Sequence, residues 1–213
     1  MGKTWLERVN FALVILACLA PAGWLVWRIF QGDLGANPIE TLIRQLGVWG
    51  LRLLVVGLCI TPLARMLKMP RLIRFRRPVG LFAFAYVLLH LSTYIGVDQY
   101  FDWHAIWKDI VKRPFITIGM GAFLALIPLA ATSFNAAIRR LGPKVWRRIH
   151  SLVYLIVPAG VVHYYLLVKA DHRPPLIYGA IVLALLGWRV WTRWRPATGA
   201  SARRAPSKGV TTA

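Results

Sequence analysis

Five histidines, His90, His104, His150, His163 and His172, are the side chains of this sequence best suited to hold a metal or move a proton. Two of them lie deep in apolar runs, where an ionisable side chain is expensive and marks function. His90 follows Arg77, the last charge before its run, by 13 residues, and His163 follows Arg148 by 15. At the helical rise these are depths of roughly 19 and 22 Å. Both runs cross in the same direction, so the two imidazoles reach one level. Two level histidines on separate helices of a bundle can fill both axial positions of a haem iron. Neutral imidazole suits iron, and no carboxylate or thiolate lies at that depth to favour another metal. Two other readings stay open: the rings only hydrogen-bond neighbouring helices, or they relay protons for a carrier. The lack of an intramembrane Asp or Glu weighs against the relay.

His150 stands apart. It comes two residues after Arg148, about 20 Å from His163 along a continuous helix. Such a helix leaves it about 140° from the His163 face, unless Pro158 kinks the chain and changes the phase. Arg74, Arg76, Arg77, Arg147 and Arg148 cluster at the same end. That group suits a flavin phosphate, an anionic lipid or haem propionates, against the plainer reading of a basic collar. His104 and His172 fall among charged loop residues and read as surface groups. Arg52 sits within an apolar run with no acidic partner at its depth; snorkelling and approach to a propionate both remain open.

The elements that must position these groups are membrane spans. Hydrophobic residues make up 58% of the 213 and charged ones only 16%, with mean hydropathy +0.56, well beyond a soluble domain. Six runs are long enough to cross: Val9–Arg28, Gly47–Met66, Val79–Val97, Pro114–Phe134, Ile149–Val168 and Leu176–Trp191. The expected fold is an all-α polytopic bundle over residues 1–195, followed by a disordered tail over 196–213. A net charge of +20 would point to nucleic acid in a soluble chain, but here it follows membrane topology. With the N-terminus inside, 19 basic residues fall on the cytoplasmic side and 7 outside, and six of the seven acids are outside. Both ends are therefore expected in the cytoplasm. The first run carries a cleavage-like Ala20-Pro21-Ala22, yet the charge balance needs it kept as a span. Cys18 and Cys59 lie inside apolar runs and imply neither a disulfide nor a thiolate site.

Several motifs carry a resemblance. Arg76-Arg77-Pro-Val-Gly-Leu-Phe-Ala-Phe-Ala-Tyr-Val-Leu-Leu-His90 resembles the third span of the MsrQ (YedZ) family. Leu141-Gly142-Pro-Lys-Val-Trp146-Arg-Arg-Ile-His150, continuing to His163-Tyr164, is similar to the same family. So are Thr61-Pro62-Leu63-Ala-Arg65, Arg113-Pro114-Phe-Ile-Thr-Ile-Gly119 and Pro175-Leu-Ile-Tyr178. The resemblance implies a ferric-reductase-like bundle in the bacterial inner membrane. It implies a non-catalytic electron-transfer subunit with haem b on His90 and His163, and bound FMN. Its electrons would come from quinol or a cytosolic flavin reductase, and would pass to a periplasmic molybdopterin subunit that reduces methionine sulfoxide. A stand-alone ferric or quinol-linked reductase is the alternative within the redox class. Two-haem members of the superfamily carry a second histidine where this chain has Arg76, so His150 would serve either a second haem or the flavin side.

Overall fold

A computed structural model describes residues 5–194; the tail expectation over 196–213 lies outside them. Among the described residues there is no strand. Helix α1 covers Trp5–Phe30, α2 Pro38–Met66, α3 Arg76–Thr93 and α4 Trp103–Lys112. Helix α5 covers Pro114–Ala131, α6 Asn135–His150, α7 Val153–Leu167 and α8 Arg173–Trp194. A 3₁₀ turn, Pro70–Phe75, leads into α3, and a π turn, Tyr94–Asp98, follows it. Six segments are long and apolar enough to cross a membrane, so the all-α, six-span expectation holds.

Helix α2 is the centre of the bundle. Leu46, Leu51, Leu54, Val55 and Leu58 are buried on several of its sides, and it packs against α1, α3, α7 and α8. The other spans keep wide apolar faces exposed, such as Leu13 and Leu16 on α1 and Leu88 and Leu89 on α3, as lipid contact requires. Gly50 sets the closeness of α2 and α3, because a Cβ there would lie 2.7 Å from Val87 Cγ2. Such small-residue contacts are how helices associate where no hydrophobic drive separates them from lipid.

Helix α1 is tied in by a side chain spliced into its hydrogen-bond ladder. Pro21 sits inside α1 and cannot donate a backbone N–H. One residue on, the bond from Ala22 to Cys18 is replaced by Tyr86 of α3. The Ala22 N–H donates to Tyr86 Oη at 2.9 Å, and that hydroxyl donates to Cys18 O at 2.9 Å. Tyr86 is 3% exposed, so both backbone groups are satisfied inside the bundle. The first span is a packed member of the core.

Three elements depart from the sequence expectation. The loop between the third and fourth spans contains the amphipathic α4, with Trp103, Trp107 and Val111 exposed on one stripe. Asp102 caps it by accepting from the Ala105 N–H at 3.0 Å. Helix α2 starts nine residues before the expected Gly47, at Pro38, where Asn37 accepts from the Glu40 N–H at 3.2 Å. The fifth span is broken: α6 turns at Gly142 (φ 73°), a conformation open to glycine at little cost, and ends at His150. Helix α7 then restarts at Val153. His150 and His163 thus do not share one helix, and the 140° phase between them does not apply.

Candidate functional site

His90 lies three residues before the end of α3, and His163 four before the end of α7. Their ring centroids are 6.2 Å apart and their planes stand at 86°. Each ring is held by one backbone carbonyl: His90 Nδ1 donates to Ile43 O at 2.8 Å, and His163 Nδ1 to Phe115 O at 2.6 Å. A carbonyl oxygen only accepts, so both rings carry their proton on Nδ1 and keep the Nε2 lone pair.

The two halves of the site repeat one design. Ile43 lies four residues before Gly47 on α2, and Phe115 lies four before Gly119 on α5. Each ring lies across one helical turn, against the glycine that ends it. A Cβ on Gly47 would come within 3.0 Å of His90 Nδ1, and one on Gly119 within 2.7 Å of His163 Nδ1. Only glycine admits an imidazole so close to a helix backbone. Sequence reasoning gave neither glycine a role, because each matters only through its partner helix.

Both histidines line a cavity of about 320 Å³, walled by Leu51, Val87, Phe123 and Tyr164. One end of it is rimmed by charge, with Arg44 paired to Glu40 at 2.6 Å and Arg113 to Asp109 at 3.2 Å. Tyr94 Oη donates to the same Asp109 at 3.0 Å. Metal–imidazole bonds of about 2.0 Å, with each nitrogen about 1.1 Å from its ring centre, set two axial rings about 6.2 Å apart across one metal. The His90–His163 spacing equals that span, and an acceptor that fixes Nδ1–H is the usual support of a metal-bound imidazole. The residues fit a bis-imidazole haem.

His150 belongs to a separate cluster at the other end of the bundle. Its ring stacks on Trp146 at 4.0 Å. Thr132 Oγ1 gives its proton to Pro128 O at 2.7 Å, so His150 Nε2 donates to that hydroxyl oxygen at 3.1 Å. Trp146 Nε1 donates to Thr132 O at 3.0 Å and locks the group.

The five arginines expected beside His150 do not stay together. Arg76 is close enough for its charge to act on the His150 ring and on Arg189. Arg65 also acts on Arg189, whose guanidinium lies 4.5 Å over the Tyr154 ring. Arg65, Arg76 and Arg189 have no carboxylate within ion-pair reach among the described residues. Sequence reasoning missed Arg65 and Arg189, which looked like two more members of the basic collar. Arg74 instead pairs with Glu7 at 3.1 Å, and Arg77 donates to Asn135 Oδ1 at 2.7 Å. Arg147 and Arg148 are exposed.

The remaining groups find plain partners. Arg52 Nε donates to Tyr178 Oη at 2.8 Å, and its guanidinium lies 4.5 Å over Trp49. His104 is exposed. His172 packs 4.8 Å from the Tyr165 ring.

Residues 46–161 match the family described as ferric reductase like transmembrane component. The chain is 66% identical to a Caulobacter vibrioides protein named protein-methionine-sulfoxide reductase heme-binding subunit MsrQ, over 92% of this chain and 93% of that protein. A Rhodospirillum rubrum protein of the same name is 52% identical, over 86% of this chain and 88% of its own length. One from Polaromonas naphthalenivorans is 47% identical, over 93% and 89%. No solved structure matches the chain. Six apolar helices, the family match across their middle and these near full-length identities lead to one conclusion: the chain belongs to the MsrQ family of ferric-reductase-like transmembrane proteins.

Proposed function

We propose that this chain is the haem b membrane subunit of a methionine-sulfoxide reductase system, carrying electrons across the inner membrane to a periplasmic catalytic partner. The observation that carries this reading is the His90–His163 pair, with 6.2 Å between rings and each Nδ1 fixed on a carbonyl. His90 and His163 would hold haem b, which would supply one-electron transfer in preference to oxygen binding. The protein's part is to hold the two Nε2 lone pairs at a set separation, and to keep water off the apolar walls. Gly47 and Gly119 let the rings sit against their helices, and the carbonyls of Ile43 and Phe115 orient them.

The donor side of the proposal lies at the His150 end. Three guanidiniums there without a carboxylate call for an anion, and the FMN phosphate answers that need at Arg76, Arg65 and Arg189. Electrons would enter from quinol or a cytosolic flavin reductase and leave to a molybdopterin subunit outside. The 19-to-7 division of basic residues supports this direction, with both termini cytoplasmic. The relatives' printed name supports the haem and the methionine-sulfoxide reductase system. The test is spectroscopic. Protein purified with haem supplied should give a low-spin b-type spectrum, and His90→Ala and His163→Ala should each lose it. A colourless preparation, or a full low-spin spectrum in either variant, would sink the proposal.

A further inference from the structure

The crevice between α1 and α3 is not used by the electron path. It has a volume of about 370 Å³ and is lined by Glu7, Phe11, Arg74, Arg77, Pro78 and Leu81. Its charged end holds two guanidiniums and one carboxylate, leaving a net positive charge. Arg74 is pinned between Glu7 at 3.1 Å and the Phe75 ring at 4.9 Å. Its Nε is buried and has no hydrogen-bond partner among the described residues. That nitrogen is walled in by protein, but the Arg74 side chain as a whole keeps 30% of its surface exposed, so the guanidinium still offers donors to the crevice beside its bond to Glu7.

The rest of the crevice is apolar. Phe11 stacks on Phe75 at 6.5 Å, and Pro78 and Leu81 continue the wall along α3. Leu81 is exposed, and so is Leu88 two turns further on, so this wall runs on into the lipid-facing side of α3. Glu7 and Arg77 lie in the first turns of α1 and α3, the ends that the charge balance assigns to the cytoplasmic interface. A charged head in the membrane interface with a hydrocarbon wall below it is the chemistry of a phospholipid.

We propose that Arg74 and Arg77 hold the phosphodiester of an anionic phospholipid, with an acyl chain lying along Phe11, Pro78 and Leu81. The site is distinct from the Arg65–Arg76–Arg189 group and does not depend on the flavin reading. Helices α1 and α3 would then be joined through a lipid as well as through Tyr86.

Native mass spectrometry of the detergent-solubilised full chain, titrated with phosphatidylglycerol, tests this. The wild type should retain one lipid, and Arg74→Gln with Arg77→Gln should weaken that binding about tenfold or more. Arg76→Gln should leave it unchanged. Glu7→Gln removes the carboxylate that competes for Arg74, so it should bind the lipid more tightly, and it serves if the double variant fails to fold. Unchanged lipid binding in the double variant, or weaker binding in Glu7→Gln, would overturn the proposal. So would displacement of the lipid by FMN or inorganic phosphate at equal concentration, since the arginines would then serve a soluble phosphate.

Discussion

The Gly119→Ala variant tests the architecture of the histidine pair with the smallest possible change. The new methyl group would lie 2.7 Å from His163 Nδ1 and 2.8 Å from Cε1, whereas non-bonded carbon contacts settle at about 3.5–4.0 Å. The ring must retreat from α5 by roughly 0.7 Å to reach the edge of ordinary contact. Phe115 O is on the same helix, so the retreat stretches the 2.6 Å hydrogen bond to about 3.3 Å, past the normal limit. Loss of such a supporting bond costs about 10–100-fold in metal affinity. Haem affinity should fall by that factor. The midpoint potential should rise, because the Nδ1–H···O bond makes the imidazole more basic and favours ferric iron. Haem titration of the apoprotein and a redox titration of the loaded protein read the two effects. Gly121→Ala is the control, two residues along α5 with nothing within 4 Å of its added Cβ. If Gly119→Ala keeps wild-type affinity and potential, the close approach of ring and backbone is not what holds the ligand.

Three further outcomes follow from other contacts. Tyr86→Phe leaves the Cys18 carbonyl and the Ala22 N–H without their shared partner; it should cost about 1–2 kcal/mol, measured by thermal or denaturant unfolding, with the haem spectrum retained. His150→Ala should keep the haem on His90 and His163 but slow its reduction from the cytoplasmic side, as followed by stopped-flow absorbance. If it loses one of two haems per chain, the flavin assignment at that end is wrong. A reporter fused at Ser207 should be active only in the cytoplasm, and periplasmic activity would overturn the charge argument.

The spans and the level of the two deep histidines were legible because both follow from one-dimensional rules. Hydropathy marks the spans, and counting from Arg77 and Arg148 puts His90 and His163 at matching depth. Helix α4 was legible in principle: Trp103, Trp107 and Val111 recur at the helical spacing. Its ten residues were passed over because they are too few to cross a membrane. The break between α6 and α7 was hidden, since Ser151 and Leu152 carry no proline or glycine to announce it. The sorting of the arginines was hidden for a different reason. Positive-inside bias predicts where arginines accumulate, not which helix each one faces. Consecutive residues in a helix point about 100° apart, which is why Arg76 and Arg77 reach different partners.

The glycines raise the deepest limit on reading the site from sequence, and the structure also explains it. A glycine in a span has several uses, and nothing local separates Gly47 and Gly119 from Gly57 or Gly121, where an added Cβ meets nothing. What separates them is a histidine 43 or 44 positions away on another helix. The repeat is close: His90 bonds a carbonyl 47 residues back, and His163 one 48 residues back. In each half the carbonyl belongs to the turn that ends at the glycine. Equal partners in both halves give the two imidazoles the same protonation and the same support. Under the proposed haem function that balance would suit a one-electron carrier, because a ligand held more loosely on one side would invite oxygen. The glycines thereby set how closely each ring may lie against its helix, and the helices set the distance between the rings.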